Sequence, residues 1–370
     1  MIYFDNAATT YPKPQCVYDG VNLAFKEYSF NAGRGSYKQA KNTFNMIEDT
    51  RNKISKLVLS SADKVIFTSS ATESLNNIIY GLNLNEGDYV YVSPFEHNAI
   101  IRTLHNTKAN IIVIPFDSKT WNVDINALND LFVLKKPKAV FISQISNVTG
   151  FELPYSTIFK LSKEYFAINV LDSAQAFGIY NPIPQNIDFI VFAGHKSLYS
   201  MFGIAGYINL TAYPLSIYKV GGTGSDSLNT NMPSDFPSKY EAGSLNSIGI
   251  YSINCALDFL NKTNYGRIEE ELGIYFINKM KNIDKFILYL PKDYIPKGIV
   301  SFNIKGYAAD EIGMILSEDY DICVRTGYHC APLIHDFICS KPFNGTVRVS
   351  FGIFNTKEEI DELVEALKSL

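Results

Sequence analysis

Long apolar runs, dense charge of one sign and paired cysteines are all missing from this sequence, and each absence removes a class of protein. No stretch approaches the roughly 20 apolar residues that a bilayer-spanning helix needs, so no membrane contact is expected. The formal charge is −4 and no basic stripe is present, which argues against a nucleic-acid partner. The opening residues, Met1-Ile2-Tyr3-Phe4-Asp5, put no basic region ahead of an apolar core, so no secretion signal is expected. The five cysteines, Cys16, Cys255, Cys323, Cys330 and Cys339, are an odd and scattered set rather than a disulfide framework. The expectation is a reducing, cytoplasmic setting. Cys330, Cys339, His329 and His335 are neighbours in sequence, but their spacing fits no common zinc pattern, and no metal is expected. Repeats and low-complexity tracts are absent as well.

What remains is an ordinary globular balance, 46% hydrophobic and 19% charged over 370 residues. That length accommodates two domains, or a large one with a smaller companion. Helical apolar spacing marks residues 15–29 and 37–57. Strands are expected at 64–68, 89–92, 111–115, 138–143, 168–172, 188–192 and 204–209. Helices are expected from 71 to about 82, at 124–132 and at 155–164. This regular alternation predicts an α/β fold with a mainly parallel sheet covered on both faces. Residues 219–246 break the rhythm as a long loop, of a length usually reserved for function or a partner. Beyond a helix at 246–261 the pattern changes. Helix 265–281, strands 285–290 and 298–304, helix 308–317, strands 321–325 and 346–351 and helix 357–369 read as a smaller α+β unit. The expected division is 15–255 for the large domain, with 1–14 and 256–370 for the small one.

The chemistry concentrates at two strand ends. Ala193-Gly194-His195-Lys196-Ser197 follows the apolar run 188–192, which places Lys196 at the mouth of the sheet, where open α/β sheets keep their ligands. Asn169-Val170-Leu171-Asp172 is a second such strand, ending in a carboxylate. An amine and a carboxylate so placed suit pyridoxal phosphate (PLP): the lysine carries the aldehyde as a Schiff base, and the carboxylate keeps the pyridine nitrogen protonated. The plain alternative is a surface lysine and a capping aspartate. Ser70-Ala71-Thr72 opens a helix whose small residues leave N–H groups free for a phosphate, although hydroxyl caps begin many helices without one. His97 sits at another strand end, where a structural cap is the ordinary reading. Gly33, Arg34 and Gly35 form a cation-bearing turn. Cys330 differs from Cys16, Cys255 and Cys323, which read as small buried hydrophobes. It lies in a polar stretch with Gly327, His329, Pro332 and nearby Arg325, and positive charge favours a thiolate.

Taken in order, the segments YFDNAATT, SSATESLN, EHNAIIR, ISNVTG, LDSAQAFG, AGHKSLY, GGTGSDS, YEAGSLNS, VRTGYHCAPLIH and TVRVSFGIFNT span nearly the whole chain. They resemble the PLP-dependent cysteine desulfurases and selenocysteine lyases of the class V aminotransferase group, in the branch with a short R-T-G-x-H-C catalytic loop. The resemblance implies a PLP type I fold (aspartate aminotransferase-like). It implies that Lys196 holds the cofactor, that Asp172 meets the pyridine nitrogen and that Gln175 meets the phenolic oxygen. His97 would stack on the ring and help move protons. Ala71, Thr72 and His195 would hold the phosphate, joined by Ser244 from the other subunit of a homodimer. Asn147 and Arg348 would hold the substrate carboxylate, with Arg34 and Arg325 as further cations at the substrate, and Cys330 would accept the sulfur. The implied activity takes L-cysteine to L-alanine and passes a persulfide to an acceptor protein. L-selenocysteine cleavage, another class V reaction such as transamination or kynurenine cleavage, and a non-catalytic binding scaffold are the alternatives. Two positions depart from the family pattern. Ala193 stands where relatives carry Ser or Thr, removing one phosphate hydroxyl, and Ser200-Met201 replaces Gly-Pro after the lysine turn.

Overall fold

Helices and strands alternate along the first two thirds of the chain. The computed structural model describes residues 1–32, 35–224 and 228–370. A short strand β1 (Ile2–Tyr3) precedes helices α1 (Gln15–Glu27) and α2 (Lys38–Lys56). Then come β2 (Val65–Thr68), α3 (Ala71–Gly81), β3 (Tyr89–Val92), α4 (Asn98–His105), β4 (Asn110–Val113) and α5 (Ile125–Leu134). β5 (Pro137–Ser143), α6 (Tyr155–Glu164), β6 (Ile168–Asp172), β7 (Phe189–Ala193) and β8 (Ala205–Asn209) complete this part. The seven strands order as β2-β8-β7-β6-β5-β3-β4. All run parallel except β8, which is antiparallel to both of its neighbours. The connection from β7 to β8 has no helix, and a parallel return would require one.

Alternation within the strands splits the core into two layers. On β5, Val140 and Ile142 join the apolar cluster on one face, while Ala139 and Phe141 join that on the other. β7 divides the same way, with Ile190 and Phe192 on the first face and Phe189 and Val191 on the second. Strands buried on both sides read as continuous apolar runs, which is what helices on both faces of a parallel sheet require.

The chain continues with α7 (Ser247–Leu260), α8 (Tyr265–Met280), β9 (Phe286–Leu288), β10 (Ile299–Ile304), α9 (Ala309–Tyr320), β11 (Ile322–Cys323) and β12 (Arg325–Gly327). A short α10 (Ile334–Phe337), β13 (Thr346–Ser350) and α11 (Lys357–Ser369) close it. Four of these strands make an antiparallel sheet, β12-β13-β10-β9, with its own apolar cluster. Thr356 caps α11, accepting from the Glu359 N–H while Glu359 reaches back, a capping box.

Four details differ from the sequence reading. Cys16, expected as a small buried hydrophobe, is exposed, and Cys255 and Cys323 are only partly buried. The strand expected at 321–325 is two strands: β11 pairs in parallel with β1, and β12 pairs with β13. The chain changes sheets at Val324 and so serves two partners. α4 was not expected. It follows β3 after a short turn and is capped by His97, whose Nδ1 accepts the Ala99 N–H at 3.0 Å, so the usual Ser, Thr, Asp or Asn signal is missing. Helix α9 also continues to Tyr320, beyond the expected end.

Candidate active site

β2, β3, β5, β6 and β7 all end on one side of the large sheet, and their ends surround a cavity of about 200 Å³. Its wall includes Ser70, Ala71 and Thr72 after β2, His97 after β3, Ser143 on β5, Asp172 on β6, Ala193 at the end of β7, and His195 and Lys196 after it. Register fixes this convergence: Ser143 lies opposite Asp172, and Asp172 lies opposite Val191.

Lys196 packs deep in the wall while part of it opens on the cavity. Burial, reinforced by the charges of Arg348 and Arg325, pulls its ammonium down to about 8, against the opposing pull of Asp172. Asp172 is buried, and burial raises its carboxyl. Its Oδ1 accepts the Ala174 N–H at 3.0 Å, and among the described residues Oδ2 has no hydrogen-bond partner. His97 is held neutral, pushed down to about 3 by burial and by Lys196 and Arg325. Since its Nδ1 accepts from the Ala99 N–H, its proton sits on Nε2. His195 is lowered to about 4 by burial, stacks on Phe202 with centroids 4.5 Å apart, and keeps a buried Nδ1 with no partner among the described residues. The Ser70 hydroxyl caps α3 through Glu73 N–H at 3.1 Å. The Ala71 and Thr72 N–H groups are therefore left at the open, electropositive end of the helix.

The second sheet supplies the other side. Arg348 on β13 is 1% exposed. Its guanidinium donates to the Asn147 carbonyl at 2.8 Å and to Asp5 Oδ1 at 2.5 Å, while its Nε is buried without a partner among the described residues. Asn147 lines the cavity and donates from its amide to the His329 carbonyl at 2.6 Å. Cys330 is exposed. Its carbonyl accepts the Asn98 N–H at 2.7 Å, and its Sγ receives the Arg325 guanidinium at 3.4 Å. His329 and Cys330 both adopt left-handed backbone, at φ 46° and 57°, a conformation that persists only where surroundings impose it. His329 imposes part of it, with Nε2 on the Thr346 hydroxyl at 2.8 Å.

The structure therefore brings Ala71, Thr72, His97, Asn147, Asp172, Gln175, His195 and Lys196 onto one cavity. Arg348, Arg325 and Cys330 lie close enough to perturb the Lys196 ammonium. The Gln175 amide donates to the Ala7 carbonyl at 2.9 Å. Ser244 lines a different cavity, beside Arg51 and Glu241, so within one chain it does not reach this site. Arg34 lies outside the described residues. Two carboxylates escaped the sequence reading although both sit inside quoted motifs: Asp5 and Glu96. Glu96 is fully buried and accepts from Ser93 Oγ at 2.5 Å, Ser143 N at 2.9 Å and Ser143 Oγ at 2.7 Å. Alternation of apolar residues carries no sign of either contact.

A family model for class V aminotransferases matches residues 2–363, and the chain belongs to that family. It is 30% identical over 388 residues to a probable cysteine desulfurase of Methanothermobacter thermautotrophicus, covering 100% of this chain and 94% of that protein. It is 28% identical over 390 residues to a cysteine desulfurase of Escherichia coli, covering 100% and 93%. A solved apo cysteine desulfurase of Thermococcus onnurineus superposes with a TM-score of 0.90 at 25% identity, covering 100% of this chain and 94% of that one. The fold is that of PLP type I enzymes, and the family is PLP-dependent. The residues present fit that cofactor. Among the described residues, a half-buried lysine without a paired carboxylate, an unengaged Asp172 oxygen, the orphaned His195 Nδ1 and the open α3 terminus face one cavity.

Proposed function

We propose that this protein is a cysteine desulfurase: it converts L-cysteine to L-alanine, takes the sulfur as a persulfide on Cys330 and passes it to an acceptor protein. The observation that carries the reading is the Cys330 loop. An exposed thiol, contacted by Arg325 and tied through Asn98 and Asn147 to the cavity wall, is a feature that transamination and kynurenine cleavage do not use.

PLP, when bound, supplies an aldehyde for the substrate amine and a ring that stores the electrons of the broken Cα–H bond. Lys196 holds the cofactor and then serves as the base. With its ammonium near 8, an appreciable neutral fraction exists at neutral pH to receive the α-proton. Asp172 would hold the pyridine nitrogen protonated, where a cation would relieve the penalty of its own burial. The α3 terminus, with Ala71 and Thr72, and His195 would receive the phosphate. His97, neutral with its proton on Nε2, would hold the ring from one face, and Gln175 would donate to the phenolic oxygen. Arg348, with Asn147, takes the substrate carboxylate. Cys330 attacks the substrate sulfur as thiolate. The new S–S bond forms as the C–S bond breaks, its electron pair leaves with the carbon fragment, and two protons complete alanine. Arg325, at the sulfur, holds the negative charge there.

The same reading assigns residues 15–255 to a large domain and 1–14 with 256–370 to a small one. The separate core of the second sheet and the pairing of β1 with β11 support it. A homodimer in which Ser244 crosses to the neighbouring site is part of the proposal, supported by the exposed position of Ser244 in the 219–246 loop. Among the described residues no helix is long and apolar enough to cross a membrane, and a cytoplasmic location is proposed.

The test is turnover of L-cysteine by wild type and Cys330→Ser. The wild type should release alanine and, without reductant, gain about 32 Da on the peptide bearing Cys330. The variant should bind PLP and cysteine yet release no alanine, because a hydroxyl is a poor nucleophile toward sulfur. Wild-type turnover by the variant, or the added mass on Cys339, would sink the assignment. Retained activity toward selenocysteine alone would point to a selenocysteine lyase.

A further inference from the structure

The Arg348 guanidinium is not a bare cation awaiting a ligand. Asp5 Oδ1 already holds its Nη2 at 2.5 Å, and the Asn147 carbonyl holds Nη1 at 2.8 Å. The main chain on both sides of Asp5 is held in place. Phe4 N–H pairs with the Cys323 carbonyl at 2.9 Å, the Ser350 N–H with the Phe4 carbonyl at 2.7 Å, and the Ala7 N–H with Ser350 Oγ at 2.8 Å. Asp5 itself bridges to Ser350, two residues beyond Arg348 on the same strand. The backbone that carries the carboxylate therefore stays beside Arg348 when a second anion arrives. What the guanidinium retains for that anion is the buried Nε, unpartnered among the described residues, and the remaining Nη hydrogens. Nε and Nη2 share one edge of the guanidinium, so Asp5 stands beside the very donor left open.

We propose that Asp5 is a positioning residue that orients Arg348 and, by half-neutralising it, keeps the affinity of the site for an amino-acid carboxylate low enough for product to leave. This rests on the reading of Arg348 as the carboxylate-binding residue. A substrate carboxylate entering beside Asp5 meets a like charge next to a guanidinium that is itself buried, where repulsion is screened less than at an open surface. Substrate and alanine carry the same carboxylate, so any gain in binding one is a gain in retaining the other.

The test is calorimetric binding of L-alanine and of ethylamine, which lacks the carboxylate, to PLP-loaded wild type, Asp5→Asn and Asp5→Ser. Both substitutions keep an acceptor for Arg348 and remove the charge. Alanine should bind about tenfold more tightly to the folded variants, with ethylamine unchanged. Steady-state turnover of cysteine should show KM falling, whatever happens to kcat. A purely structural role for Asp5 would lower the melting temperature and shift both ligands together. Unchanged or weakened alanine binding overturns the proposal, as does an equal shift for ethylamine. The wild type supplies a check free of folding effects: it should prefer alanine over ethylamine by less than about a hundredfold, since a larger preference means a guanidinium acting at full strength. Alanine binding needs no turnover. A wild type that binds alanine but cannot process cysteine therefore refutes the desulfurase reading alone.

Discussion

Replacing Glu96 by glutamine tests whether the buried carboxyl that holds Ser143 carries a proton. Burial, with Asp172 nearby, pushes the Glu96 carboxyl from 4.5 up to about 7, against the lowering effect of its hydrogen bonds from Ser93 and Ser143. In the unfolded chain the group titrates near its ordinary value. Between about pH 4.5 and 7 the folded protein therefore holds a proton that the unfolded chain has lost, and stability falls as pH rises through this window. The contribution is complete below the unfolded value and gone above the folded one. Each pH unit of the interval is worth about 1.4 kcal/mol, so the decline amounts to about 3 kcal/mol. The side chain introduced by Glu96→Gln mimics the protonated acid: its oxygen accepts from Ser93 and from the Ser143 N–H, and its amide donates to Ser143 Oγ, whose hydrogen turns away. Wild type and Glu96→Gln should be equally stable at about pH 4 and below, under the unfolded value. At pH 8 the variant should be ahead by about 3 kcal/mol. For a chain of 370 residues melting as one unit, the entropy of unfolding is about 0.8 kcal/mol per degree, which makes the difference about 4 °C. Thermal melts of both proteins across pH 4–8 measure it. The burial-raised Glu269 is common to both and drops out of the difference. Parallel melting curves at every pH would refute the reasoning.

Other outcomes follow from the same geometry. Lys196→Ala should lose the Schiff-base absorption and all turnover while keeping some PLP through the phosphate contacts; a variant with wild-type turnover ends the lysine assignment. Gly345→Ala should destabilise the protein by about 3 kcal/mol or more, read as a lowered melting temperature. Its φ is 104°, and an added Cβ would stand 2.2 Å from the Gly327 carbonyl oxygen on the strand that leads to Cys330. Unaltered melting and unaltered alanine release would show that this strand can shift freely.

The alternation of strands and helices was legible because a sheet buried on both faces demands continuous apolar runs, as β5 and β7 show. The site was legible where chemistry falls at the end of such a run: Asp172 closes β6, and Lys196 follows β7. β8 was readable as a strand but its direction was not, since a buried antiparallel strand has the same composition as a parallel one. The split at Val324 was hidden because pairing partners far away in sequence, Ile2 and Tyr3 on one side and β13 on the other, decide where a short extended stretch is cut. Asp5 and Glu96 were missed for a related reason. Each acts through one distant partner, Arg348 or Ser143, and a single distant contact has no period to detect.

The loop that carries Cys330 is tethered from three directions, by Asn98, by Asn147 and by His329 on Thr346. In the proposed reaction this makes the sulfur carrier a fixed post rather than an arm. A persulfide adds a single S–S bond of about 2 Å, so the outer sulfur moves no farther than that from where Sγ already stands. Delivery then belongs to the acceptor, which must bring its own thiol down to an exposed but stationary atom. The shape of the protein around Cys330, rather than any excursion of the loop, decides which acceptors can reach it.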